Sequence, residues 1–238
     1  MRCFRPYIAC LAAVAIADLG LLQAAPRAAA NAGPPVAVEL APERLTYRTY
    51  PKGQPPKDIP HEAHQTVQGY CDTEFAHECR VSYTRSRLPV ANATATVTHV
   101  RIQSSLTVTI WTEEGSGADV MRHEEAHRAI ARHYYALTEV AGRELATVLT
   151  GQKIPAPRPG AAEGEPGPLV DLQNALLDQL ARETSGRCAV AQDKFDLYTY
   201  GMPADVIDEA MRRAIAEESE EYAARASAAH AAVASIEP

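Results

Sequence analysis

The sequence predicts an α+β domain in which an antiparallel β-sheet packs against one long helix and further helices follow toward the C-terminus. Three observations predict this fold. Residues 65–111 alternate between apolar and polar side chains, which is typical of strands with one buried face. Apolar residues then recur at steps of three and four over 123–148, which indicates one amphipathic helix. A proline- and glycine-rich linker at 155–168 separates that helix from a second helix-forming region.

The first thirty residues have the features of an export signal. Arg2 and Arg5 precede an apolar run, Ile8–Leu22, and three small residues, Ala28–Ala30, offer a cleavage site. We therefore expect residues 1–30 to be removed. The mature protein is then expected to be periplasmic or secreted, without stable insertion into a membrane.

The next part of the chain is predicted to consist mainly of strands. Residues 31–64 form a proline-rich N-terminal segment that contains two short β-like stretches, and the alternating pattern begins at residue 65. The predicted strands are Val36–Leu40, Arg44–Tyr50, Gln65–Tyr70, Glu78–Arg85 and a longer one that includes Val100 and Ile110.

The long helix has a recognisable start and end. Ser116 with Asp119 three residues later resembles a capping box, and Gly151 followed by Pro155 marks the C-terminal end. The predicted buried stripe consists of His123, His127, Ile130, Tyr134, Leu137, Ala141, Leu145 and Val148.

Two further helices are predicted after the linker. One spans Leu169–Ala191 and the other Ala204–Val233, and the acidic cluster at 217–221 is predicted to be a solvated face. Residues 65–201 are assigned to one domain with 155–168 as a linker or loop insertion, and residues 202–238 to a C-terminal helix.

The long helix contains the sequence H-E-x-x-H at His123–His127. Residues at i and i+4 lie on one face of a helix, so both imidazoles can reach one metal ion. Glu124 lies beside the first histidine, where a zinc peptidase has its general base. The alternatives are that both histidines are ordinary core residues and that Glu124 is a surface carboxylate.

A catalytic zinc site needs a third protein ligand. The spacing to His133 matches the motif H-E-x-x-H-x-x-G-x-x-H of the metzincins, but Ile130 occupies the position of its glycine. At about 100° per residue, His133 points away from the two motif histidines. The third ligand is therefore expected from a segment beyond Gly151.

Two stretches of the chain resemble a bacterial family described as predicted secreted zinc-dependent proteases. The first is Trp111 followed by H-E-E-A-H-R-A-I-A-R-H-Y-Y at 123–135, and the second is F-D-L-Y-T-Y-G at 195–201, where the family has Y-D-x-x-T-x-H-G. The resemblance covers roughly residues 65–201. It implies a zincin-like fold, a Zn²⁺ cofactor and a peptide or protein substrate.

The second stretch departs from the family at Tyr200, which replaces the histidine before the glycine. If that histidine is the third ligand, the position now offers a phenol, whose ordinary pKa of about 10 makes it a poorer ligand at neutral pH. Tyr200 is the first candidate for the third ligand and Asp196 the second. Tyr198 and Tyr200 are alternatively ordinary packing residues.

The predicted activity is hydrolysis of peptide bonds by a zinc-activated water. Zinc lowers the pKa of bound water toward ~7, and Glu124 acts as the general base and returns the proton to the leaving amine. The alternative function is a non-catalytic zincin-like binding or scaffold protein with a degenerate metal site. A carboxylate-bridged di-metal site would need the second E-x-x-H, Glu74–His77, on a helix, and that stretch is predicted to be strand and turn.

Charge and cysteine content limit the other classes of function. The chain has a formal net charge of −7, and loss of residues 1–30 removes three basic and one acidic side chains, which leaves −9. An acidic chain without a basic tract is not expected to bind nucleic acid. In an oxidising compartment Cys71 is predicted to pair with Cys79, with Cys79–Cys188 as the rival pairing and a thiolate zinc site as a third option.

Overall fold

The computed structural model describes residues 34–57, 68–86, 93–157 and 167–234, with side chains up to residue 228. The predicted signal peptide, residues 1–30, and most of the predicted linker lie outside these ranges. None of the helices in the described ranges is long and apolar enough to cross a membrane.

The described chain is a mixed α/β structure with an open sheet, as the sequence predicts at this coarse level. The helix predicted at 169–191 is instead two helices joined by one π-helical turn, Arg182–Gly186. The elements in chain order are β1 Val36–Leu40, β2 Arg44–Tyr50, β3 Gly69–Arg85, β4 Thr94–Glu113, α1 Ala118–Leu149, β5 Lys153–Pro155, α2 Pro168–Ala181, α3 Arg187–Thr199 and α4 Ile207–Ala234.

The sheet is built around β4, and the predicted antiparallel arrangement is wrong for two of its strands. Both β1 and β2 run parallel to β4, with Val36 opposite Val100 and Arg44 opposite Thr107. The short β5 pairs with β4 in the antiparallel direction, and β3 also pairs with β4. Alternating hydropathy shows which face of a strand is buried, but it carries no information on the direction of the neighbouring strand.

The chain divides into two compact units. Within the described ranges, the first contains β1, Ala76–Arg85 of β3, Thr94–Ser104 of β4, Glu139–Leu149 of α1, β5 and α2 up to Leu180. Its core joins apolar side chains of β4 to the C-terminal part of α1 and to α2, and burial of this apolar surface stabilises the unit. The buried members of this core are Val97, Val100, Ile102, Ala146, Leu176 and Leu180.

The second unit consists of Ala41–Phe75, Ser105–Thr138 and the chain from Ala181 onward. It therefore contains β2, the N-terminal part of α1, and both α3 and α4, which pack against each other. Its largest fully buried side chains are Tyr134, Phe195, Leu106, Ile110, Ile130 and Glu218.

The buried stripe of α1 differs from the prediction in its second half. Tyr134, Thr138 and Ala146 are fully buried, whereas Val148 is exposed. Steps of four residues shift the buried positions gradually around the helix, because the helical repeat is 3.6 residues. The predicted end is confirmed, since α1 stops at Leu149 and Gly151 follows with a φ of +89° that favours glycine.

The acidic cluster of α4 is not entirely solvated, because Glu218 is fully buried. Its carboxylate accepts hydrogen bonds from Arg187 Nε and Nη2 at 2.9–3.1 Å and from the Tyr134 hydroxyl at 2.7 Å. The Arg187 guanidinium also lies over the ring of Tyr222, 4.2 Å from its centroid. This ionic cluster connects α1, α3 and α4 within the second unit.

All three described cysteines carry free thiols. Neither the predicted Cys71–Cys79 disulfide nor its rival Cys79–Cys188 is therefore formed. Cys71 and Cys188 are buried, and Cys79 is partly buried beside the core of the first unit. In this structure they behave as small apolar side chains.

Candidate metal centre

The two histidines of the H-E-x-x-H motif converge, as the spacing predicts. His123 and His127 lie one turn apart on α1, and their Nε2 atoms are 3.2 Å apart. The ring centroids are separated by 4.9 Å with an angle of 72° between the ring planes. The helix backbone thus places both side chains on one face, one turn apart.

A carboxylate from α3 completes the group. Asp196 Oδ1 lies 2.8 Å from His127 Nε2 and 3.2 Å from His123 Nε2. Within the described part of the chain, these three residues form the one cluster of histidine, cysteine and acidic side chains with metal-ligand geometry. The structure therefore brings together the second candidate for the third ligand with both motif histidines.

The other candidates lie elsewhere. Tyr200 directly follows the last residue of α3, is 89% exposed and is not part of the cluster. The Tyr198 hydroxyl donates a hydrogen bond to Glu217, and Arg213 covers the tyrosine ring, so this residue packs as the alternative interpretation predicted. His133 is exposed on α1, in agreement with its predicted surface position.

The dimensions of the cluster suit a small tetrahedral ion. For zinc bound to nitrogen and oxygen at about 2.0–2.1 Å, tetrahedral angles place neighbouring ligand atoms about 3.3 Å apart. The observed separations of 3.2, 3.2 and 2.8 Å are close to this value. Two imidazoles and one carboxylate are also donors that zinc accepts. The residues present therefore fit a zinc ion.

The ligands differ in their access to solvent. The side chain of Asp196 is 57% exposed, that of His123 is 28% exposed, and that of His127 is 10% exposed. A site with one buried ligand and one exposed ligand is closed on one side and open on the other. An open side is what a catalytic site needs in order to admit water and a substrate.

Charge interactions tie the three ligands together. Although partial desolvation works in the opposite direction, hydrogen bonds from His123 and His127 hold the pKa of Asp196 well below its usual range. Burial of His127 disfavours its protonation, but the hydrogen bond with Asp196 and the charge of this carboxylate raise the pKa of His127 overall. Asp196 is therefore ionised at neutral pH and ready to act as a ligand.

Glu124 lies on α1 between the two histidines in a buried environment. It is only 3% exposed, and burial raises its pKa from 4.5 to about 7, against the opposing charges of the nearby histidines. The N-terminal residue of β3, Gly69, makes this position possible. A Cβ atom on Gly69 would lie 2.7 Å from Glu124 Oε1 and 2.7 Å from Val120 Cγ1. Any side chain at this position would force Glu124 or Val120 to shift, because the strand backbone approaches both so closely.

Sequence reasoning missed the role of Phe195 at this site. Its ring lies 4.8 Å from the centroid of His123 and 4.9 Å from that of His127. The signal was its position directly before Asp196, in the second stretch that resembles the protease family.

Comparison of the chain with family models, with curated proteins and with solved structures finds no match in any of the three. The function is therefore argued from the geometry of the site.

Proposed function

We propose that the protein is an exported zinc-dependent peptidase of zincin-like type, with His123, His127 and Asp196 as metal ligands and Glu124 as general base. One observation carries the proposal. Three ligand atoms converge from α1 and α3, and a buried carboxylate lies on the same helix between the two histidines. A core histidine is satisfied by a partner of its own, whereas here one carboxylate oxygen lies within 3.2 Å of the Nε2 atoms of two histidines.

Each residue has a chemical task in this proposal. Zinc, when bound, supplies a Lewis acid that polarises a peptide carbonyl and makes water more acidic. Glu124 removes a proton from the attacking water and transfers it to the leaving amine. Its burial suits this task, because a carboxyl with a pKa near neutral can both accept and release a proton at physiological pH.

The substrate and location follow the sequence expectations. We infer a peptide or protein substrate and a periplasmic or extracellular site of action. The export-like N-terminus and the resemblance around residues 123–135 and 195–201 support this inference. The departure at Tyr200 leaves the proposed ligand set intact, because Asp196 takes the third position.

The proposal is tested on the purified protein from residue 31 onward, with zinc content and hydrolysis of an unstructured protein substrate as the two measurements. We expect Glu124→Gln to retain zinc and to lose hydrolysis, because only the proton acceptor is removed. His123→Ala and Asp196→Ala should lose both zinc and hydrolysis. Tyr200→Phe is the matched control for the rival ligand and should lose neither.

The outcomes separate the remaining alternatives. Zinc binding without chelator-sensitive hydrolysis would favour the non-catalytic binding or scaffold protein. Loss of zinc in Tyr200→Phe, but not in Asp196→Ala, would transfer the third ligand to the tyrosine. A protein that binds no zinc at all would reject the metal centre.

A further inference from the structure

Phe195 contacts both imidazoles of the candidate metal centre. Its ring is tilted by 31° to that of His123 and stands at 88° to that of His127, with centroid distances of 4.8 and 4.9 Å. These distances and the near-perpendicular arrangement fall in the range of favourable aromatic pairs. The side chain is fully buried. The three rings therefore form one aromatic cluster, because the two histidine rings also contact each other.

The histidine side chain has one torsion that the backbone does not control well. Rotation of the ring about χ2 is broad and roughly two-fold, so a helix places the Cβ atoms of an i,i+4 pair without orienting both nitrogens. A buried ring against each imidazole restricts this rotation. Both Nε2 atoms then already point toward Asp196.

The position of Phe195 in the chain links the orientation of the two histidines to the position of Asp196. Phe195 and Asp196 are consecutive residues of α3, so one helix supplies both the third ligand and the aromatic surface behind the other two. Packing of α3 then sets all three ligand atoms at once. Metal sites gain affinity when their ligands are held in the binding geometry before the ion arrives.

We propose that Phe195 is a positioning residue that orients His123 and His127 for metal binding, an inference that rests on the metal centre of the proposed function. The role does not involve contact with a substrate. The competing interpretation is that Phe195 only contributes buried apolar area to the core, as other large buried side chains do.

The experiment measures the Zn²⁺ affinity of the metal-free protein by competition with a chromophoric chelator. Phe195→Leu removes the ring and keeps an apolar side chain, and Phe195→Tyr restores a ring at the same position. Leu106→Ala is the control, because Leu106 is a fully buried side chain on β4 in the same unit and carries no ring. Thermal unfolding of each metal-free variant records its loss of stability.

We expect Phe195→Leu to weaken Zn²⁺ binding by about 10–100-fold, the range seen when a group that orients a metal ligand is removed. Phe195→Tyr and Leu106→Ala should stay within about threefold of the wild type, even if Leu106→Ala unfolds at a lower temperature. The visible absorption of Co²⁺ at the site should change in Phe195→Leu and be restored in Phe195→Tyr.

Several results would overturn the inference. Wild-type affinity in Phe195→Leu would show that the ring is not needed, and equal weakening in Leu106→Ala would show that the effect is one of stability. Weak binding in Phe195→Tyr as well as Phe195→Leu would also reject the role of the ring. If the wild type binds no more Zn²⁺ than His123→Ala, the metal centre itself fails and the positioning role fails with it.

Discussion

Glu124 is a buried carboxylate, and its burial raises its pKa to about 7. A carboxyl whose pKa is higher in the folded than in the unfolded chain binds protons more tightly when folded. It therefore destabilises the fold once the unfolded chain ionises, and this penalty grows from pH 4.5 to 7 and is constant above. The proposed base therefore lowers the free energy of unfolding at the pH at which it would act.

The metal-free Glu124→Gln variant tests this cost. At pH 8 we expect its free energy of unfolding to exceed that of the wild type by about 1–3 kcal/mol, because the amide never carries the buried charge. The difference should shrink toward zero as the pH falls to 4.5. Urea denaturation in the presence of a chelator measures both values, and equal stability at pH 8 would contradict the buried charge.

Gly69 controls the position of the Glu124 carboxylate. Gly69→Ala places a Cβ 2.7 Å from the Glu124 carboxylate and should displace it. We expect kcat to fall by about 100-fold with zinc content unchanged, since a shift near 1 Å in a catalytic group has an effect of this size. Gly117→Ala is the matched control, because a Cβ there meets no atom within 4 Å. Full activity in Gly69→Ala would show that the carboxylate has room to move.

At the scale of elements, the position of α3 decides whether the metal centre exists. The buried carboxylate of Glu218 on α4 receives hydrogen bonds from Arg187 on α3 and from Tyr134 on α1. A buried ion pair adds little net stability over apolar packing, but removal of one partner leaves a charge without compensation. We therefore expect the cluster to disfavour packing arrangements of α1, α3 and α4 in which Glu218 loses Arg187.

Arg187→Met is expected to lower the free energy of unfolding by about 3–5 kcal/mol, because Glu218 stays buried without its cation. Arg212→Met removes an exposed arginine that is paired with Glu209, and it should cost less than about 1 kcal/mol. Urea denaturation compares the two variants. A similar small loss in both would show that Glu218 is solvated or protonated in the folded protein.

The parts of the site that depend on local geometry were predictable from the sequence. The placement of His123 and His127 on one face follows from their spacing on a helix, and the end of α1 follows from Gly151. The sequence left two candidates for the third ligand, because Asp196 lies in the last turn of α3 and Tyr200 directly follows it, and only tertiary packing brings Asp196 to the two histidines. The burial of Glu218 was missed for a similar reason, since its partner Arg187 is 31 residues away.

The sequence pattern could also not predict that β1 and β2 pair with β4 in the parallel direction. The bounds of β1 and β2 were predicted as observed, whereas Tyr70 and the predicted strand Glu78–Arg85 belong to one longer strand, β3. Strand direction depends instead on how the chain returns to the sheet. The chain keeps its direction between Leu40 and Arg44. β1 therefore pairs with residues 100–104 of β4, and β2 pairs with residues 107–113.

At the scale of the whole molecule, the proposed zinc ion and a proton would compete for the same nitrogen of His127. In the metal-free protein, the raised pKa of His127 contributes stability that is present below the ordinary histidine pKa of 6.5 and is lost as the pH rises through the folded value. Zinc needs the neutral imidazole, so its binding releases this proton.

We therefore expect the Zn²⁺ affinity to increase with pH, by up to about tenfold per pH unit for one released proton, until His127 is fully neutral. Calorimetric titrations between pH 5.5 and 8.5 measure this slope. Asp196 contributes nothing to it, because this carboxylate is already ionised across that range. An affinity that does not change with pH would mean that His127 is neutral in the metal-free protein.

The separation of 73 residues between His123 and Asp196 has a consequence for the timing of activity. If the proposed function holds, a nascent chain that has produced only the H-E-x-x-H helix has two of the three ligands and would be inactive at that stage. The complete centre arises only after α3 has been synthesised and has docked on α1. Under the proposed function, activity would therefore begin only when the ligand from α3 has joined the two histidines of α1.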